Sequence, residues 1–215
     1  MNHDMLFFGQ KVCFIGAHPD DIELGCGALI AHIASSTDIL TVTLSNNLKQ
    51  AAHVNLVEEH YRSMAVLGVP HENIIVADFE TRRFPHFRQE ILEYLIELNH
   101  THHPEIVFVP TRADIHQDHQ TATEEALRAF RGTTVLGFDV LRSSYGFFPN
   151  FLVEVTAEDV EQKICALAEY HTYKDKYYFD PNVTRATAIR HGALAERPFA
   201  EGFDILRIIG NFNQL

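Results

Sequence analysis

The sequence predicts an α/β chain: a three-layer fold with a mostly parallel sheet, strand order 3-2-1-4-5, and further strands at the C-terminal end. Three observations lead there. Short apolar runs alternate with helix-length amphipathic segments as far as residue 138. The runs at 12–15 and 106–109 are apolar at every position, the pattern of strands covered on both faces. The connections are long enough for helical crossovers, which are right-handed between parallel strands.

Residues 11–17 read as the first buried strand, 24–35 as a helix and 38–44 as the second strand. Residues 51–67 carry helical periodicity and stop at Gly68, with Pro70 just beyond. Ile74-Ile75-Val76 is a short third strand, and residues 85–99 form a helix with Ile91, Leu92, Leu95, Ile96 and Leu98 on its apolar face. Strand four covers 106–109, a helix 120–130 and strand five 135–138. Beyond residue 140 the rhythm loosens. An aromatic loop at 145–151 leads into a strand at 151–155 and a helix at 158–171, opened by Thr156 with Asp159 three residues on as a capping-box pattern. A helix at 182–194 and a strand at 203–209 complete the chain, with no linker and no internal repeat. The aromatic stretches 145–151 and 170–179 are assigned to core or subunit contact rather than to a sugar platform. The layout is Rossmann-like. Gly16, Gly25 and Gly27 do not space as G-x-G-x-x-G, however, and no acidic residue ends strand two, which argues against a dinucleotide.

A length of 215 residues fits one domain. The net charge of −12 argues against a nucleic-acid backbone or an anionic membrane as partner. The first residues lack a basic n-region and a sustained apolar segment, so neither a signal peptide nor a membrane span is expected. Cys13, Cys26 and Cys165 form no C-x-x-C pair and read as free thiols of a reducing compartment, the cytoplasm by default. Self-association is expected, with the aromatic C-terminal third as contact surface.

Strand one runs straight into Ala17-His18-Pro19-Asp20-Asp21. Pro19 stiffens the turn, and His18 and Asp21, three apart, can converge on one point while Asp20 projects elsewhere. One imidazole and one carboxylate suit Zn²⁺ or a similar divalent ion but form an incomplete set, because a catalytic zinc needs a third protein ligand. Strand four supplies the partner stretch, Asp114-Ile115-His116-Gln117-Asp118-His119. In a doubly wound sheet, strands one and four are neighbours where strand order reverses, which is where ligands bind. His100, His102 and His103 cluster at a helix end, where histidines suit the negative pole, and are read as solvated.

These two motifs, with Gly25-Cys26-Gly27 after the first, resemble those of the LmbE/PIG-L family of zinc-dependent deacetylases acting on N-acetylglucosamine-type amides. The resemblance covers residues 11 to about 131, with a less specific echo at Pro198-Phe199-Ala200-Glu201-Gly202-Phe203. It implies one LmbE/PIG-L-like domain over residues 1–215 and one catalytic zinc held by His18, Asp21 and His119. It also implies Asp20 as general base, His116 as the electrophilic or acid group, and Asp118 orienting His116. The expected substrate is a small amino-sugar conjugate losing an N-acetyl group. The rivals are another amide on an antibiotic, glycan or nucleotide-linked precursor, and a non-catalytic binding module. Arg82, Arg83 and His191 are candidate substrate contacts. No arginine stands just before Glu58 and Glu59, where many relatives carry one.

Overall fold

The computed structural model describes Phe7, residues 9–49 and residues 53–210. Its elements follow in chain order as β1 (Lys11–Gly16), α1 (Asp21–Ile33), β2 (Asp38–Thr43), α2 (Leu56–Val66), β3 (Ile74–Val76), α3 (Arg88–His102), β4 (Ile106–Pro110) and α4 (Gln117–Ala129). After these come β5 (Thr134–Phe138), β6 (Phe151–Glu154), α5 (Ala157–Ala168), α6 (Pro181–Leu194) and β7 (Ala200–Arg207). The strands form one mixed sheet in the order β3-β2-β1-β4-β5-β7-β6. β1 to β5 pair in parallel, as expected, while β7 is antiparallel to both β5 and β6.

The uniformly apolar strands follow from two covered faces. Val12 and Phe14 of β1 share a core with Ile22, Leu29 and Ile30 of α1, Met64 of α2 and Ala166 of α5. Cys13 and Ile15 face the other way, into a core with Ile91 and Leu95 of α3 and Ala122 and Ala126 of α4. Phe14 stacks on Phe108 of β4 at 4.7 Å, which ties the two site-bearing strands together.

Several boundaries differ from the periodicity. α1 and α4 each begin three residues early, at Asp21 and Gln117. Their first turns are polar and so carry no apolar signal, but Asp21, Glu23 and Asp118 suit the positive end of a helix. α3 begins later because Pro85 sits in a 3₁₀ turn, and it continues to His102, where His103 closes it at φ 48°. α2 begins at Leu56 rather than residue 51; residues 50–52 lie outside the described residues. α5 ends at Ala168, before a 3₁₀ turn at His171–Tyr173, and both hydrogen bonds of its capping box form. Gly25 and Gly27 lie inside α1. A β-carbon there would sit 2.3 Å from the Phe138 ring or 2.8 Å from the Lys163 side chain.

β7 begins at Ala200, earlier than expected, and its second residue, Glu201, is buried against α1. The Glu201 carboxylate accepts from the backbone N–H groups of Ala28 and Leu29, at 3.1 and 2.7 Å. Lys163 of α5 donates to it at 2.7 Å and also to the Leu24 carbonyl at 2.7 Å. This buried pair fastens α5 and β7 to the helix that carries the metal-type motif. Lys163→Met should therefore destabilise the fold by about 3–5 kcal/mol, since it strands a buried carboxylate. Urea unfolding measures this, and an unchanged midpoint would refute the fastening role.

Candidate metal centre

β1 and β4 are neighbours, with Val12 opposite Ile106 and Phe14 opposite Phe108, and the chain leaves their carboxyl ends on the same side of the sheet. The loops that follow bring His18 and Asp21 against His119 of α4, all three buried. His119 Nε2 lies 3.2 Å from Asp21 Oδ2 and 3.3 Å from His18 Nδ1, and His18 Nδ1 lies 3.5 Å from Asp21 Oδ2. With metal–ligand bonds of about 2.0–2.1 Å, the edges of a tetrahedral zinc site are about 3.3–3.4 Å. The donor set and its spacing fit one such ion. His18, His116 and Asp118 form a second group close enough to share an ion. There, however, Asp118 already accepts from the backbone N–H groups of Arg82 and Phe84.

Each imidazole of the first group is braced on its other nitrogen. His18 Nε2 meets Asp118 Oδ2 at 3.0 Å, and His119 Nδ1 meets Asp114 Oδ2 at 2.7 Å. Asp114 in turn accepts from the Ser143 and Ser144 hydroxyls and from the His116 N–H. Such outer carboxylates set ring orientation and raise ligand basicity. Asp114→Ala should weaken zinc binding by about 10–100-fold, read by competition with a chelating dye; unchanged affinity would remove it from the site.

The geometry revises one expected role. Asp118 does not brace the His116 ring with its carboxylate, which faces His18. Instead the Asp118 backbone N–H donates to His116 Nδ1 at 3.1 Å, making His116 the cap of α4. A neutral His116 that accepts at Nδ1 carries its proton on Nε2, a donor. Burial, then the charges of His119 and His18, push this imidazole down to about 4, so it is neutral at pH 7.

Asp20 occupies the turn between His18 and α1 at φ 105°, a left-handed conformation costly for a non-glycine residue. Its carboxylate makes no capping hydrogen bond and lines the cleft. Burial, then the negative charges of Asp21 and Glu23, hold this carboxyl well above the usual range. Burial opposes charge on Asp21, but His119 and His18 overcome it and hold Asp21 well below that range. Burial also opposes charge on His119, yet the carboxylates of Asp21 and Asp114 push it up to about 10. His18 is raised against burial by Asp118 and Asp21. Both imidazoles must therefore shed protons to take an ion. Zinc affinity should rise with pH through neutrality, by up to about 100-fold per unit where both are charged. Calorimetry in buffers of different ionisation enthalpy would detect the released protons; no release would contradict the ligand set.

These groups line an open cleft. Of the three candidate substrate contacts, Arg82 lines it, at φ 67°. Arg83 is exposed and faces Glu80 at 3.9 Å. His191 is buried against β7 in a separate cavity with Lys163 and Glu201, because α6 packs on that strand. The cleft wall also holds Asn47, Thr81, Arg142 and Lys176, not picked out as site residues from the sequence, and Tyr173 and Tyr178 from the aromatic stretch assigned to core or subunit contact. Thr81 donates to Asn47, and Asn47 donates to the Tyr173 hydroxyl. Tyr173 thus serves both the aromatic core and the cleft. His100, His102 and His103 stand at the α3 terminus, and among the described residues they join no group able to share an ion.

Residues 13–130, more than half of the chain, match the family model PIG-L, GlcNAc-PI de-N-acetylase. An uncharacterised deacetylase of Escherichia coli K12, YaiS, is 31% identical over 168 residues, spanning 75% of this chain and 90% of that protein. Diacetylchitobiose deacetylase of Thermococcus kodakarensis is 26% identical over 206 residues, spanning 89% of this chain and 71% of its own. The solved N,N'-diacetylchitobiose deacetylase of Pyrococcus horikoshii, in complex with an inhibitor, superposes with a TM-score of 0.77 at 19% identity, covering 95% of this chain and 88% of that one. A fold of this topology, a His–Asp–His cluster at its strand-order reversal and a family match across both motifs lead to one conclusion: the chain belongs to the PIG-L family of de-N-acetylases.

Proposed function

We propose that this protein is a zinc-dependent N-deacetylase that removes the acetyl group from a small amino-sugar conjugate. The observation that carries the reading is the triangle of donor atoms from His18, Asp21 and His119, with edges of 3.2–3.5 Å, beside an uncapped Asp20 carboxylate. A divalent ion held there supplies Lewis acidity, polarising an amide carbonyl and making water easier to deprotonate. Asp20 takes the water proton and passes it to the departing amine nitrogen, so that amide and water become acetate and amine. His116 donates its Nε2–H to the oxygen that gains negative charge. Asp114 and Asp118 hold the two ligand imidazoles in place.

The named activity of the Thermococcus relative, a diacetylchitobiose deacetylase, supports an N-acetylated sugar as substrate. The cleft is lined by polar and aromatic side chains, among them Asn47, Arg142, Tyr173 and Tyr178, of the kind that hold a sugar. We place the protein in the cytoplasm on its unpaired Cys13, Cys26 and Cys165. No described helix is long and apolar enough to cross a membrane. Self-association belongs to the same proposal and is supported by exposed Tyr145, Phe148 and Tyr177.

The test is acetate release from a panel of N-acetyl sugars by zinc-loaded protein, with the free amine measured in parallel. Equimolar acetate and amine are expected. Release of neither, from folded and metal-loaded protein, would leave the non-catalytic reading in its place.

A further inference from the structure

Three cations line the mouth of the cleft: Arg82 from the loop after β3, Arg142 from the loop after β5, and Lys176 from the segment between α5 and α6. In a chain of net charge −12 such a gathering runs against the background. None of the three makes an ion pair among the described residues. The contrast with nearby cations is direct. Lys49 and Arg83 are both drawn to Glu80, at 2.6 and 3.9 Å, and Lys163 is committed to Glu201 at 2.7 Å.

Two of the three are also held at the rim. The Arg142 guanidinium lies 5.5 Å over the Tyr178 ring, a placement that keeps the charge while shortening its reach. Arg82 is fixed at φ 67° by its N–H donating to Asp118 and its carbonyl accepting from Gln117. That conformation costs an arginine energy which a glycine would not pay. The cleft therefore has the buried His–Asp cluster at its inner end and cations at its outer end.

We infer that the physiological substrate carries an anionic group, a phosphate or a carboxylate, on the part of the molecule that lies toward the mouth. This rests on the deacetylase reading above and narrows its substrate class. The amide, uncharged, sits at the His–Asp cluster, and the anion meets Arg82, Arg142 and Lys176. The competing account is that the cations only offset the site carboxylates, since Arg142 acts to lower the Asp20 carboxyl. That account gives no preference among substrates.

The experiment compares kcat/KM for acetate release by the zinc-loaded full chain. The substrates are N-acetylglucosamine, its 1-phosphate, its 6-phosphate and N-acetylmuramic acid, which bears a carboxylate. At least one anionic substrate should exceed the neutral sugar ten-fold or more at low salt, and the advantage should shrink at 0.5 M salt. Whether the phosphates or the carboxylate win identifies the group. Arg142→Glu and, separately, Lys176→Glu at an exposed position should each cut the anionic-to-neutral ratio several-fold. If Arg142→Glu fails to fold, Lys176→Glu still decides. A neutral sugar turned over as well as every anionic one, or a ratio unmoved by both variants, overturns the inference while leaving the deacetylase reading intact. Silence on all four substrates counts against the deacetylase reading itself, and the inference falls with it.

Discussion

His119→Ala should leave a folded protein that no longer retains its ion through dialysis. The substitution removes one of the three proposed protein ligands and the anchor of the Asp114 brace in a single step. Loss of an outer brace alone costs about 10–100-fold in affinity, so loss of the ligand should exceed that range. Folding should survive, because Asp114 keeps the Ser143, Ser144 and His116 donors. Metal analysis of the dialysed variant, beside circular dichroism, separates the two effects. An unchanged zinc content would refute the assignment of His119.

Asp20→Asn is the complementary change, with turnover lost and metal kept. Losing a positioned general base costs about 10²–10⁴-fold in rate. Asparagine is nearly isosteric with aspartate and tolerates left-handed backbone, so the turn at φ 105° should hold. The pH profile gives a second readout. Protonating Asp20 removes the base, so wild-type activity should fall as pH drops through its raised pKa, although a bound cation pulls that value down. In the variant that acidic limb should vanish along with most of the rate. Full activity in Asp20→Asn would remove it as base.

Much of this was legible from residues alone. Uniformly apolar runs at 12–15 and 106–109 announced strands covered on both faces, and the sheet order placed their ends together. What escaped were features without a periodic signature. The first turns of α1 and α4 are polar, so periodicity alone starts both helices three residues late. Asp114 stood inside the second motif, but its brace on His119 depends on a loop conformation that no spacing encodes. Arg142 and Lys176 reach the cleft from loops outside either motif. His191 was drawn into a separate cavity by the packing of α6 on β7.

The central claim is that His18, Asp21 and His119 share a single ion. X-ray absorption at the zinc edge on stoichiometrically loaded protein, repeated with His18→Ala and His119→Ala, tests it most directly. The account predicts two imidazole shells with oxygen ligands in the wild type, at about 2.0–2.1 Å, and one imidazole lost in each variant that still takes up metal. A spectrum with a single imidazole in the wild type, or one unchanged by either substitution, would contradict it.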